Sequence, residues 1–334
     1  MARTRNLELA GWCWSNVFFL SVTYLMLFFF FSTVGRTSGQ LEYGFYDATC
    51  PNVEETARQV LQVYFTTDPT SSASIHRLSF HDCQVQGCDA SVMLDSANGI
   101  TTELDASSSF GIRRLDIIDG VKATLEEACP NTVSCADIIA IAGREAVAYA
   151  GGPRITIPLG RRDSTFASTS EASASLPEPN ISIDQFMNLF AAYGMSLPES
   201  VAIMGGHTLG VGHCRSFESR LQESDPSPGL VFGAELETAC AATELTDLVF
   251  LPNDLTNFVF DNQYYIDARN GRGLFTIDAE LPLDSRTADI LQTFANDQQA
   301  FFDTFTTAFV KMTSKGVLTG NEGQIRQNCH FVNT

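Results

Sequence analysis

Two of the five histidines, His81 and His207, stand in surroundings suited to chemistry; the others are His76, His213 and His330. His81 follows Arg77 by four residues in Arg77-Leu78-Ser79-Phe80-His81-Asp82-Cys83. On a helix that interval places a guanidinium and a titratable base on one face. Such a couple could act on a small polar substrate; the plainer alternative is a surface ion pair with Asp82. His207 lies in Gly205-Gly206-His207-Thr208-Leu209-Gly210. Glycines around it let a bulky planar group approach the backbone, and one histidine suffices as the axial ligand of a haem. The alternative is a histidine satisfied within the core.

The elements that must position these residues read mainly as helices. Apolar residues recur at helical spacing over Val53–Phe65, Ser71–Cys83, Arg114–Ala128 and Phe301–Lys311. Ser134 is the expected N-cap of Cys135–Ala150, with Gly151-Gly152 as its stop. Ser182 is the expected cap of a helix through Tyr193 that Gly194 closes, and Pro198 suits the first turn of the helix through Met204. Arg154–Pro158 is the best strand signal, while Ser164–Pro179 and Ser224–Gly233 read as loops.

The N-terminus runs from a weakly basic start through the apolar stretch Val17–Phe31 to small residues ending at Gly39. That order predicts a secretory signal peptide over residues 1–39. A signal anchor is the rival, because no charge stands between Glu8 and Arg36. The full chain has 334 residues and a net charge of −19. Cleavage would leave 17 basic and 38 acidic residues, a net charge of −21, which disfavours nucleic acid and acidic lipid surfaces. Eight of the nine cysteines follow the leader, an even number that predicts disulfides in a secreted chain. A metal site from His81, Cys83 and Cys88 is the other reading, with a spacing unlike common zinc patterns. Asn180-Ile181-Ser182 is a glycosylation sequon.

Together these stretches resemble the plant secretory, class III haem peroxidases. The motif Arg77–Cys83 continues as Gln84-Val85-Gln86-Gly87-Cys88-Asp89-Ala90-Ser91. Val133–Asp137, Pro158–Asp163, Gly205–Thr208, Phe260–Tyr265 and Gly323–Cys329 follow in the order of that family. The resemblance runs from Gln40 to the C-terminus. It implies an all-α fold, mostly helical with a minor β-hairpin element, in which haem lies between distal and proximal halves; residues 40–334 would form that one domain.

Residue by residue, the resemblance implies the following. His207 would be the axial ligand of haem b, with Asp278 behind it. His81 would be the general base and then acid, Arg77 would stabilise charge during O–O cleavage, and Phe80 would wall the pocket. The carbonyl of Pro158 would bind donors together with Arg77. The reaction would be oxidation of small phenolic or aromatic donors by hydrogen peroxide through an oxoferryl intermediate. Two calcium ions are implied, a distal one on Asp82, Val85, Gly87, Asp89 and Ser91, and a proximal one on Thr208, Asn253, Thr256, Val259 and Asp261. The implied disulfides are Cys50–Cys129, Cys83–Cys88, Cys135–Cys329 and Cys214–Cys240. A monomer in the cell wall, apoplast or vacuole is expected, with no nucleic-acid partner and no membrane attachment after cleavage.

Three departures from the family pattern carry expectations. Ser108 stands where an asparagine normally orients the distal histidine, although Glu103, which would back that asparagine, is present. A shorter side chain there predicts a slower reaction with peroxide, and it motivates an alternative in which the chain keeps haem as a poorly active wall-associated binding protein. Asn253 replaces an aspartate, which predicts weaker proximal calcium binding unless Asp254 shifts into register. Gln84 and His76 replace apolar residues and are read as harmless surface variation.

Overall fold

A computed structural model describes residues 40–221, 230–241 and 249–334. The expected leader and its cut after Gly39 lie outside the described residues. Among the described residues there are twelve α-helices: α1 (Val53–Thr67), α2 (Thr70–Gln84), α3 (Leu115–Ala128), α4 (Cys135–Tyr149), α5 (Thr169–Ser175), α6 (Ile183–Ala191), α7 (Leu197–Met204), α8 (Leu230–Cys240), α9 (Gln263–Arg269), α10 (Thr276–Glu280), α11 (Ala288–Asn296) and α12 (Gln298–Thr313). Two short strands, β1 (Val211–His213) and β2 (Phe250–Pro252), pair antiparallel. They are remote in sequence, so the small sheet is not a tight hairpin.

Helix α4 is the axis of the fold. It is buried from Cys135 through Val147, as expected of a helix that is apolar nearly all round. The Ser134 hydroxyl accepts from the Asp137 amide and fixes its start. Helices α1, α2 and α3 pack on it. Helix α1 turns Val53, Ala57, Leu61 and Phe65 inward at four-residue intervals. A second group, α7, α9, α11 and α12, packs around the rings of Tyr265, Phe294 and Phe301. Helix α12 also touches α2 and so joins the two groups.

Buried polar groups tie these layers together. Asp137 accepts from Tyr46 Oη (2.7 Å), the Gly160 amide (2.8 Å) and Arg161 Nη1 (2.8 Å). The fully buried Arg161 donates onward to the Thr313 carbonyl at the end of α12. Disulfides join Cys50 to Cys129, Cys83 to Cys88, Cys135 to Cys329 and Cys214 to Cys240.

The expected strand over 154–158 is absent. Arginines take two of its carbonyls: Arg144 donates to Ile155 (3.4 Å) and Arg161 to Pro158 (2.9 Å). Only Leu159 makes a bridge, to Glu42. The expected loop over 164–179 contains α5, whose start Ser168 caps by accepting from the Glu171 amide. Of the expected loop over 224–233, residues 230–233 open α8 and the rest lies outside the described residues.

Candidate active site

Helix α7 ends at Gly205, and a tight turn over Gly205–Thr208 carries His207. The glycines here serve packing as well as access. A Cβ on Gly205 would strike Phe301 and the Tyr265 hydroxyl, and one on Gly206 would lie 2.5 Å from His76 Nε2. His207 Nδ1 is 3.0 Å from Asp278 Oδ1. Asp278, in α10, is 2% exposed in its side chain, whereas His207 is 36% exposed. The Asp278 carboxylate also accepts from Tyr264 Oη (2.8 Å) and the Phe275 amide (3.0 Å). Asp278 is therefore no surface carboxylate. Its bond commits Nδ1 of His207 and leaves Nε2 as the ring nitrogen for a ligand or acid.

Helix α2 lies against this segment. Ala73 is 3.1 Å from the Cβ position of Gly210, and His76 abuts Gly206. One turn later Arg77 donates to the carbonyls of Phe110 (2.8 Å) and Ser108 (3.3 Å). Burial alone brings its guanidinium down to about 10. Asp82 is fully buried and neither of its carboxylate oxygens has a partner among the described residues, so it forms no surface ion pair with Arg77. His81 is buried, with its ring edge-on to Phe80 at 5.9 Å. Burial, and then the charge of Arg77, holds its imidazole well below the usual range, so it is a neutral base at ordinary pH. Among the described residues neither His81 Nδ1 nor the Ser108 hydroxyl has a hydrogen-bond partner.

Beneath α2, buried oxygen atoms converge without donors. Both carboxylate oxygens of Asp82, Ser91 Oγ and Glu103 Oε1 are unpartnered. Asp89 spends one oxygen on the Ser91 amide (3.0 Å). Burial raises Asp82 well above the usual range, Asp89 to about 6 and Glu103 to about 8. The loop is shaped by Gly87, whose φ of +135° and contact with the Gly316 carbonyl admit no side chain. Unsatisfied hard oxygens on a tight loop suit calcium.

A second oxygen cluster adjoins His207. Thr208 Oγ1 lies 2.6 Å from Asp254 Oδ2, 3.3 Å from Asp261 Oδ1 and 3.4 Å from the Val259 carbonyl; Thr256 Oγ1 lies 3.0 Å from Asp261 Oδ1. The Asn253 amide donates to the Leu209 carbonyl (3.0 Å) and leaves its buried Oδ1 without a partner, while the next residue, Asp254, makes the contact with Thr208. An amide nitrogen satisfies a backbone acceptor that a carboxylate would repel.

Pro158 requires a correction. It is buried, and its carbonyl accepts from Arg161 within the Asp137–Thr313 network rather than facing Arg77. The proline-bearing stretch near Phe80 is instead Leu176-Pro177, since Leu176 joins Val85, Ala106 and Ala172 in a small cluster against Phe80. Gln84 and His76 are not surface variations either. Gln84 links the Ser175 carbonyl (3.0 Å) to the Tyr193 hydroxyl (2.8 Å). His76 lies among Phe260, Phe305 and Phe309, with burial and then His207 lowering it to about 4. Asn180 is exposed in a turn. Sequence reasoning missed Tyr264 and Asp254. Tyr264 was visible only as part of the Phe260–Tyr265 motif, and Asp254 only as a possible slip of register.

A family model described as Peroxidase matches residues 57–297. Among curated proteins, Peroxidase 29 of Arabidopsis thaliana is 46% identical over 301 residues, covering 87% of this chain and 89% of that protein. Peroxidase 66 of the same plant is 39% identical over 317 residues, covering 93% and 98%. Peroxidase 12 is 40% identical over 299 residues, covering 88% and 83%.

Proposed function

The chain belongs to the plant secretory (class III) branch of the peroxidase family, and on that premise we propose that it is a secreted haem b enzyme oxidising small phenolic donors with hydrogen peroxide. That it is a haem peroxidase, taking peroxide and a reducing donor, follows from the family itself. The donor class, secretion to the wall, apoplast or vacuole, the monomeric state, two calcium ions and the individual residue roles are our reading.

The observation that carries the reading is the His207–Asp278 bond of 3.0 Å on a segment crossed by the helix of Arg77 and His81. His207 Nε2 is the nitrogen that would hold the iron. A carboxylate acceptor on the far ring nitrogen fixes the tautomer and strengthens the imidazole as an electron donor. Bound haem would supply a redox-active iron able to accept oxidising equivalents from peroxide.

The remaining work falls to the polypeptide. His81, neutral and buried, takes a proton from one peroxide oxygen and returns it to the departing one. Arg77 offsets the negative charge that grows as the O–O bond breaks. Phe80 limits access above the pocket, and with Leu176-Pro177 it forms the apolar ledge on which a phenol would rest. The distal calcium would sit on Asp82, Asp89 and Ser91 with the carbonyls of Val85 and Gly87. The proximal one would take Thr208, Asp254, Thr256, Val259 and Asp261.

The alternative of a haem-retaining but poorly active wall protein gains nothing from kinship with peroxidases. Titration with haemin followed by guaiacol oxidation separates the two. The proposal expects a Soret band, turnover with peroxide, and loss of the axial band pattern in His207→Ala. A protein that takes up haemin stoichiometrically yet oxidises no phenol refutes it.

A further inference from the structure

We infer that Tyr264 is a positioning residue that moderates the electron donation of His207 by sharing the oxygen of Asp278 to which His207 is bonded. The inference rests on the reading of His207 as the axial ligand.

Three donors meet one buried carboxylate. Phe275 N–H occupies Oδ2 (3.0 Å), while His207 Nδ1 (3.0 Å) and Tyr264 Oη (2.8 Å) both address Oδ1. Among the described residues Asp278 is the one partner of the Tyr264 hydroxyl, and its ring meets that of His207 edge-on at 5.9 Å. The neighbouring Tyr265 shows what a purely structural tyrosine does here. Its hydroxyl donates to the Val201 and Ala202 carbonyls at the end of α7, away from the carboxylate. Both tyrosines belong to α9, and both are buried.

The physical consequence follows from how a carboxylate acts on an imidazole. The more negative charge Oδ1 offers, the more it draws the Nδ1 proton and the more anionic the ring becomes. A second donor on the same oxygen withdraws part of that charge. The Tyr264 hydroxyl therefore weakens the His207–Asp278 bond without breaking it, and it also holds the carboxylate in place. One oxygen has two lone pairs and accepts both bonds, but its charge is divided between them. Deleting the hydroxyl leaves Asp278 to His207 and the Phe275 amide alone, which makes His207 the stronger donor to iron.

The test uses the haem-loaded full enzyme and two readouts independent of turnover, the ferric/ferrous midpoint potential and the ferrous iron–histidine stretching frequency. Tyr264→Phe should move the midpoint to more negative potential and the stretch to higher frequency, with the Soret position and far-ultraviolet circular dichroism unchanged. Placing 3-fluorotyrosine at position 264, a stronger donor of nearly the same shape, should move both the other way. In an Asp278→Asn background Tyr264→Phe should add little, because the shared anion is gone. No shift in either variant, or shifts of the opposite sign, overturns the inference and leaves the family reading intact. Failure of the unaltered protein to take up haemin overturns both.

Discussion

Replacing Ser108 with asparagine should accelerate the reaction with peroxide about fivefold. His81 Nδ1 and the Ser108 hydroxyl are both unpartnered in the interior, so the distal base has nothing to fix its tautomer or its ring angle. Asparagine carries its oxygen about 1 Å farther from Cα than serine does, enough to seek the Nδ1 proton. A neutral hydrogen bond contributes about 1 kcal/mol, and one to a charged group about twice that. As His81 accepts the peroxide proton, the bond to Nδ1 passes from the first kind to the second. The transition state thus gains about 1 kcal/mol over the ground state, which gives the fivefold figure. Stopped-flow measurement of the second-order rate constant with peroxide checks it. The pH profile offers a second, independent mark. Burial and Arg77 depress His81 below the usual imidazole range, so the unaltered enzyme keeps its base neutral and loses activity only as pH falls through that lowered value. A new acceptor favours the imidazolium and raises it, so the acid limb of Ser108→Asn should lie at higher pH. Equal rate constants and superimposed acid limbs would refute the reasoning.

Removal of divalent ions should make stability fall with rising pH. Buried Asp89 and Glu103 are raised to about 6 and about 8, above the roughly 4 expected of unfolded carboxyls. Below pH 4 they are protonated in both states; as pH climbs to 8 the folded state resists losing those protons and its stability declines. Thermal melts should therefore slope downward over that window with chelator present and flatten when calcium is restored, and parallel curves would contradict the assignment of that cluster to a cation. At the second cluster, Asp254→Asn should cut bound calcium from two ions to one by atomic emission, whereas Asn253→Ala, which removes no charge, should cost about 1 kcal/mol in stability through the lost bond to Leu209.

Seven of the twelve described helices, α1–α4, α6, α7 and α12, were legible from their periodic apolar faces, and some also from a local stop or start. Ser134, Ser182 and Ser196 each accept from the third residue of the helix that follows, so caps and burial agree. The illegible parts are those where a distant side chain decides the outcome. At the end of the 154–158 strand signal, Arg161 draws the Pro158 carbonyl onto its guanidinium and donates to the carbonyl that ends α12. The Asn253 amide is committed to a carbonyl forty-four residues away, at Leu209, and it is Asp254 that reaches Thr208. Tyr264 and Tyr265 are neighbours of one type on one short helix, yet their hydroxyls end on a carboxylate and on backbone carbonyls respectively. No local pattern separates them.

The placement of charge links the two halves of the site to its surroundings. The protein is strongly acidic, yet it buries two groups of oxygens, and each group is joined to one histidine by a single peptide bond. Asp82 follows His81, and Thr208 follows His207. The Cys83–Cys88 bond closes the distal loop directly after Asp82. A cation bound at either cluster therefore fixes the backbone of the adjacent histidine, while the aromatic layer around Tyr265 and Phe301 fixes Gly205 from the other side. Buried carboxylates lacking donors would repel one another and loosen the chain where the reaction needs it rigid. A bound cation converts that liability into restraint, so the geometry of His81 and of His207 should respond to the loss of their own cluster and not of the other.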